Sequence, residues 1–373
     1  MARPSVGTFS HRLSKRCQDR SLRRQVPPTI ASRAHESAFV ALLKHQADRG
    51  RLARWSVLVL GLALSACGSG PSTSNSGGWT ETTVDSGKYA WNIITCPSAN
   101  ECLLTSSGET SGFLTTDGAK SWNPVKLGEA YPWDVRCLTT TTCYEVSSGG
   151  SVLTTNDTGA TWRTLYHRQG YALFGISCVT TSNCVAVGIS TLIATRDGGV
   201  HWSPAQAPRP AGAFHVSCWS ARDCVALNNW MYYATHDGGV NWQVQGASVR
   251  SLVRVSCPSA SGCYAVGVTP ADQTTGSPAL EFFFFSTDGA KNWSQVKIDG
   301  TQNLDGLSCP GPTTCFVSDF HGHVALTEDS GSSWRDRSIT TSDEPRVDVI
   351  ECPTVKVCYA AGRYGRVWVG HFP

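Results

Sequence analysis

The chain has 373 residues, of which 40% are hydrophobic and 16% charged, so it is long and apolar enough to bury a sizeable core. Its formal net charge of +3 hides two unlike halves: residues 1–67 carry twelve Lys and Arg against three Asp and Glu, and the remainder carries nineteen against twenty-five. A mildly acidic folded part lacks the clustered positive charge that nucleic-acid binding needs, which excludes that class of partner.

Residues 1–50 are Arg-rich, show no periodicity and hold one unpaired Cys17. They read as an unstructured extension, and a translation start further downstream, at a Val or Leu codon, would account for them. Residues 51–67 read as an export signal: Arg51 and Arg54 precede an apolar run from Trp55 to Ala66, too short for the ~20 residues that span a bilayer. Arg23-Arg24 lies too far from that run to open a twin-Arg signal. Leu64-Ser65-Ala66-Cys67 resembles a bacterial lipobox, which implies lipidation of Cys67 and an extracytoplasmic chain anchored to the cell membrane as a lipoprotein. The Gly/Ser/Thr-rich residues 68–78 then form a flexible linker to a domain at 79–373.

Fourteen further cysteines fall into seven pairs with the same spacing: Cys96/Cys102, Cys137/Cys143, Cys178/Cys184, Cys218/Cys224, Cys257/Cys263, Cys309/Cys315 and Cys352/Cys358. Each pair brackets five mostly small or turn-forming residues, has an apolar residue two places before it and a β-type run after it. That is a hairpin with a Cys on each arm. In an exported chain the expected chemistry is one disulfide across each turn. Metal binding is the rival, but five intervening residues is wide for a zinc pair and no His recurs in register.

A second motif alternates with the first. A Ser or Thr stands two residues before an Asp, and a Trp five residues after it, in six places: Asp117/Trp122, Asp157/Trp162, Asp197/Trp202, Asp237/Trp242, Asp288/Trp293 and Asp329/Trp334. The Asp can accept turn N–H groups, and a Gly two residues after it can take positive φ. The Trp is expected to bury its ring between neighbouring sheets, with the indole N–H free to find an acceptor. Ala119 and Ala290 replace the Gly, which predicts a different turn type in those two copies.

The Cys pairs recur every 39–43 residues, with one step of 52. A period near ~40–45 with several short β runs predicts propeller blades of four strands. In the first unit, strand A covers Ala90 to Cys96, B Cys102 to Ser106, C Phe113 to Thr116, and D Trp122 to Leu127. Seven Cys pairs meet six Asp–Trp motifs because the last unit stops after three strands. The lone strand at Trp79 to Val84 then completes the last blade, which closes an all-β seven-bladed ring without an open edge.

The Ser/Thr-x-Asp-x-Gly-x-Thr-Trp skeleton resembles the Asp-box, or BNR repeat, of sialidases, sortilin-type receptors and the photosystem II assembly factor family. The resemblance implies a propeller whose Asp residues serve the turns. It also invites a sialidase reading, which requires an Arg cluster, a Tyr activated by a Glu, and an acid. Tyr144 and Glu145 are adjacent on a strand and point to opposite faces, and the Arg-Ile-Pro signature is absent. Asp305 and Asp348 are the alternative catalytic pair, for a glycoside hydrolase.

Disulfides and Asp–Trp turns share one face of such a ring, so the D-to-A links and B–C loops of the other face are left for a ligand. There the expected binding residues are Trp91, Trp133, Phe174, Phe214, His215, Trp230, Arg254, His321, His323, Arg363 and Tyr364. The long B–C loop from Val268 to Ala279 leads into four successive Phe, Phe282 to Phe285, which must divide between both sides of their strand. The resulting expectation is a monomeric, non-catalytic binding or scaffolding module for a surface protein or glycan, with no cofactor and no metal.

Overall fold

In the computed structural model the described residues are 78–85, 89–107, 109–129, 131–207, 212–228, 231–247, 251–269, 280–301, 303–341 and 345–373. The extension, export signal, Cys67 and nearly all of the linker lie outside them, as does most of the 268–279 loop.

Among the described residues, the strands form seven four-stranded antiparallel sheets. In blade 1 the strands run Ile93–Ser98, Glu101–Thr105, Ser111–Thr115 and Asn123–Lys126, within about three residues of the sequence reading. Strand A of each blade neighbours strand A of the next, and blade 7 returns to blade 1. Blade 7 takes strands A to C from Val347–Thr354, Val357–Gly362 and Arg366–His371, and its fourth from Trp79–Thr83. Trp79 pairs with Gly370 and Thr83 with Arg366.

The seam between chain ends is well satisfied. Arg366 clamps Glu81 through two bonds of 2.6 and 2.8 Å, and the Trp368 indole N–H donates to the same carboxylate. Trp79 is fully buried and donates its indole N–H to Arg337 O at 2.6 Å, beyond the outer strand of blade 6. Trp162 of blade 2 makes the same backward bond, to Lys126 O of blade 1 at 3.0 Å. Trp79 therefore occupies the place of the missing seventh motif Trp.

All seven disulfides form with the expected partners, Cys96–Cys102, Cys137–Cys143, Cys178–Cys184, Cys218–Cys224, Cys257–Cys263, Cys309–Cys315 and Cys352–Cys358, and their Cα atoms lie 3.9–4.1 Å apart. Their hairpins are less uniform than the spacing predicts. In blades 2 to 4 the two Cys face each other at the end of the ladder, as Cys137 and Cys143 do. In blades 1, 5 and 7 the ladder runs on past the bridge, so Cys257–Cys263 and Cys352–Cys358 sit within a bulged stretch that ends at the pairs Ser259/Gly262 and Thr354/Val357. In blade 6 strand A stops at Ser308, which leaves Cys309 just beyond the strand while Cys315 opens strand B. The second Cys is the more deeply buried member throughout, with Cys263, Cys315 and Cys358 fully enclosed, because strand B lies inside the blade; Cys96, Cys257 and Cys352 are buried too.

The residue before the first Cys ties blades together. Thr95, Ser177, Ser217 and Ser308 each accept the backbone N–H of the first Cys in the following blade, at 2.9–3.1 Å. Tyr144, Tyr264 and Tyr359 add bonds from strand B to the next blade's A–B turn. Each such bond contributes about 1 kcal/mol net.

The six Asp–Trp turns share one bonding scheme. The Ser or Thr hydroxyl donates to the Asp, and the Asp accepts the amide four residues on, as Thr155, Asp157 and Thr161 do at 2.8 Å in both bonds. The expected change of turn type at Ala119 and Ala290 does not occur. Both take the left-handed conformation, φ 68° and 64°, in step with Gly159 at 83°. Ala119 and Ala290 still bond their amides back to Thr115 and Ser286, so the network imposes the turn on a residue that disfavours it.

The expectation for the motif Trp needs correction at its polar end. Only two of the six indoles find an acceptor: Trp162 bonds backward to Lys126 O, whereas Trp242 bonds within its own turn, to Gly239 O at 3.1 Å. The enclosed N–H groups of Trp122, Trp202, Trp293 and Trp334 meet no protein acceptor. Ring contacts hold three of these side chains instead, each to the preceding blade. Trp202 lies 6.3 Å from Tyr166, Trp293 stands edge-on to Tyr232 at 6.0 Å, and Trp334 edge-on to Phe283 at 4.9 Å. Quadrupole contact between rings sets these orientations. Burial also differs from copy to copy: Trp242 is enclosed at 3% exposure, while Trp202, Trp293 and Trp334 are half-buried.

Candidate functional site

The inner strands carry an irregularity where they leave the channel mouth. In blades 2, 3, 5, 6 and 7 the register shifts by one residue around the fourth position before the first Cys. A bulge of this kind re-aims the side chain it contains. The residues so placed are Trp133, Phe174, Val253, Asp305 and Asp348, with Phe214 at the same place in blade 4.

This ring has two unlike sides. Across blades 2 to 4, Trp133 packs edge-on to Phe174 at 5.0 Å between centroids, and Phe174 tilts against Phe214 at 5.5 Å. Phe174 is nearly buried beneath its half-buried neighbours. Across blades 5 to 7 the mouth is charged. Arg254 donates to Asp305 O at 3.1 Å and approaches its carboxylate at 3.4 Å. Arg346 donates to Asp348 at 3.1 Å while its guanidinium lies 4.3 Å over the Phe320 ring. Burial pushes the Asp348 carboxyl up, against the pull of Arg346 and Arg363.

A second set of charges follows further along the inner strands, toward the first Cys. Asp134 accepts the Ile176 amide at 3.1 Å and holds Arg136 at 3.3 Å, and Arg136 also faces Glu351 across the front of blade 1 at 3.8 Å. Asp134 holds the Arg136 guanidinium above its usual range, and burial pushes Glu351 up. His215 is driven well below the usual imidazole range by burial, then by Arg254 and Arg136.

The structure thus gathers Trp133, Phe174, Phe214, His215, Arg254, Asp305 and Asp348 at one mouth, with Arg363 acting on Asp348. Trp91 is elsewhere: one position further from its Cys, it has no exposed surface and packs with Leu104, Tyr359 and Val367. His321 and His323 sit on the B–C loop of blade 6, where fully buried Asp319 accepts both their amides and Nδ1 of His323. Tyr364 is 67% exposed in a 3-10 turn at φ 61°. Trp230 lies outside the described residues.

Asp134, Arg136, Arg346 and Glu351 escaped the sequence reading. For two of them the signal was columnar: Arg136 and Glu351 stand one before the Cys where the other blades carry Ser or Thr. Tyr144 and Glu145 are turned apart as expected, the Tyr144 hydroxyl to Thr181 O and Glu145 to the amides of Gly128 and Glu129. Among the described residues, no group of three His, Cys, Asp or Glu is placed to hold a metal ion.

Fold and mouth define a seven-bladed β-propeller with a split aromatic and charged opening. No protein-family model and no curated protein matches the chain. Solved structures do. A structure of YCF48 bound to D1 peptide superposes with TM-score 0.64 at 13% identity, covering 81% of this chain and 99% of that one. Virginiamycin B lyase from Staphylococcus aureus gives TM-score 0.64 at 8% identity, over 79% and 99% of the two chains. A GH74 enzyme from Niastella koreensis gives 0.59 at 12% identity, over 77% of this chain and 53% of that one. At such identities the likeness is one of fold.

Proposed function

We propose that this propeller is a non-catalytic binding module, exported and lipid-anchored through Cys67, whose channel mouth receives a peptide segment of a cell-surface protein. The observation that carries this reading is the division of the mouth: a continuous aromatic arc from three blades faces carboxylates that are each already engaged by an Arg. An aromatic arc suits apolar side chains, and the paired charges leave spare N–H and oxygen positions for a peptide backbone. A glycosidase needs one carboxyl to donate a proton and another to act as base or nucleophile, and pairing both with Arg opposes that division of roles. That YCF48 is seen with D1 peptide is in keeping with a protein partner.

The lipobox-like Leu64-Ser65-Ala66-Cys67 supports the anchor, and seven disulfides suit an oxidising compartment outside the cytoplasm. The Asp–Trp turns are read as Asp boxes in a structural role. The test is a peptide library screened against the folded chain, with Trp133→Ala expected to weaken a selected peptide at least tenfold. No selected peptide, together with glycoside turnover that Asp348→Asn abolishes, would sink the reading in favour of a hydrolase.

A further inference from the structure

The B–C turn of blade 7 is pinned in place yet turns two reactive side chains to the mouth face. Its residues Arg363, Tyr364 and Gly365 follow Gly362, which pairs with Val347 of the inner strand. Backbone bonds fix the turn from two sides. Arg363 donates its amide to Arg346 O at 3.4 Å, and Gly362 O accepts the Trp91 amide at 2.9 Å. Gly365 donates to Tyr89 O and accepts from the Val84 amide, both at 2.9 Å. A Cβ on Gly362 would run into Arg346 O, so the turn has no slack on that side.

Held in this way, Tyr364 takes φ 61° and ψ 30° and leaves 67% of its surface open. Left-handed backbone disfavours a bulky L-residue and persists only where the surroundings over-determine it. In the Asp–Trp turns side-chain hydrogen bonds offset such backbone, as at Ala119. Among the described residues no hydrogen bond or ring contact engages the Tyr364 side chain. Its neighbour Arg363 is half-buried, and among the described residues no carboxylate lies within ion-pair range of it. The acid nearby, Asp348, is already bonded to Arg346 at 3.1 Å, and Arg363 acts on it only from further away. Arg254, Arg346 and Arg363 thus face two carboxylates, Asp305 and Asp348, and the positive charge left over falls to Arg363.

We propose that Arg363 and Tyr364 set the specificity of the mouth: Arg363 takes a carboxylate side chain of the bound peptide, and Tyr364 packs against an apolar side chain beside it. This assignment rests on the reading of the mouth as a peptide site. A guanidinium matches a carboxylate in charge and, through its paired N–H groups, in shape. Arg254 and Arg346 are poorer candidates because each already holds an Asp. An exposed Tyr ring offers a broad apolar face at small cost in side-chain entropy, and interface affinity concentrates on Tyr and Arg. Adjacent in one pinned turn, the two residues present both chemistries at one place. The ligand class is therefore an acidic–apolar peptide segment, whose other apolar residues lie on the arc of Trp133, Phe174 and Phe214.

Random linear peptides displayed on beads and selected by the full chain supply the probe. Selected peptides should be enriched in Asp or Glu beside an apolar residue. Changing that acid to its amide should weaken a selected peptide about tenfold against the wild-type chain and leave its affinity for Arg363→Gln unchanged. Tyr364→Gly should act with opposite signs. Binding should weaken about tenfold, while the denaturant midpoint rises because glycine accepts the left-handed backbone. Tyr364→Asn, which also tolerates that backbone, should lose the same affinity. A purely structural Tyr364 would shift the midpoint and leave the affinity as it was. Equal losses from the acid-to-amide change in wild type and Arg363→Gln, or undiminished affinity in both Tyr364 variants, overturn the assignment while the peptide reading stands. A selection that yields no peptide overturns both.

Discussion

Ala119 and Ala290 hold left-handed backbone that four other turns give to glycine. That conformation costs an L-residue about 1–2 kcal/mol, and the shared hydrogen-bond scheme outweighs it. Ala119→Gly should therefore stabilise the domain by about 1 kcal/mol, read as a higher denaturant midpoint at unchanged slope. At Asp117, the hydroxyl and amide of Ser121 hold the carboxyl down to about 2. A depressed carboxyl contributes stability above its unfolded value of ~3.9 and loses it as pH falls through its folded one. Tm measured across acid pH should thus decline between about pH 4 and pH 2, and Asp117→Asn should flatten that decline.

Each hairpin carries its own constraint, so the disulfides act locally. Replacing Cys178 and Cys184 by Ser reopens a short loop and should cost about 2 kcal/mol, with faster proteolysis confined to that turn. The bond from the Cys218 amide to Ser177 works between blades instead. Ser177→Ala leaves that amide without its acceptor and should cost about 1–2 kcal/mol by thermal unfolding.

The Cys pairs and Asp–Trp turns were legible because their spacing repeats and because each has a physical role that its own residues fulfil. What those residues do with their neighbours was not: the indoles of Trp202, Trp293 and Trp334 are placed by rings of the preceding blade rather than by an acceptor. Strand A was legible too, but only as far as its regular alternation lasts. Asp134, Arg136 and Glu351 engage partners in other blades, which spacing within one blade does not reveal. Arg346 was hidden for a related reason: it gains its place by stacking on Phe320, which comes from the preceding blade's B–C loop. The turns at Ala119 and Ala290 misled because residue preference was weighed without the network that overrides it.

For the whole ring, Trp79 is the piece that both ends depend on. Trp79→Ala should cost about 3–5 kcal/mol, more than any single disulfide, with the loss seen in one cooperative transition of the domain. Arg366 and its carboxylate Glu81 lie 285 residues apart in the chain. The strand that completes the last blade is therefore made first and must wait for nearly the whole domain to be synthesised. At ~5–20 residues per second that delay is roughly 15–60 seconds, during which Trp79 and the edge it will cover have no partner. A chain arrested before Arg366 should bind holdase chaperones through this waiting strand, and release from arrest should end that binding within the time of a single blade's synthesis.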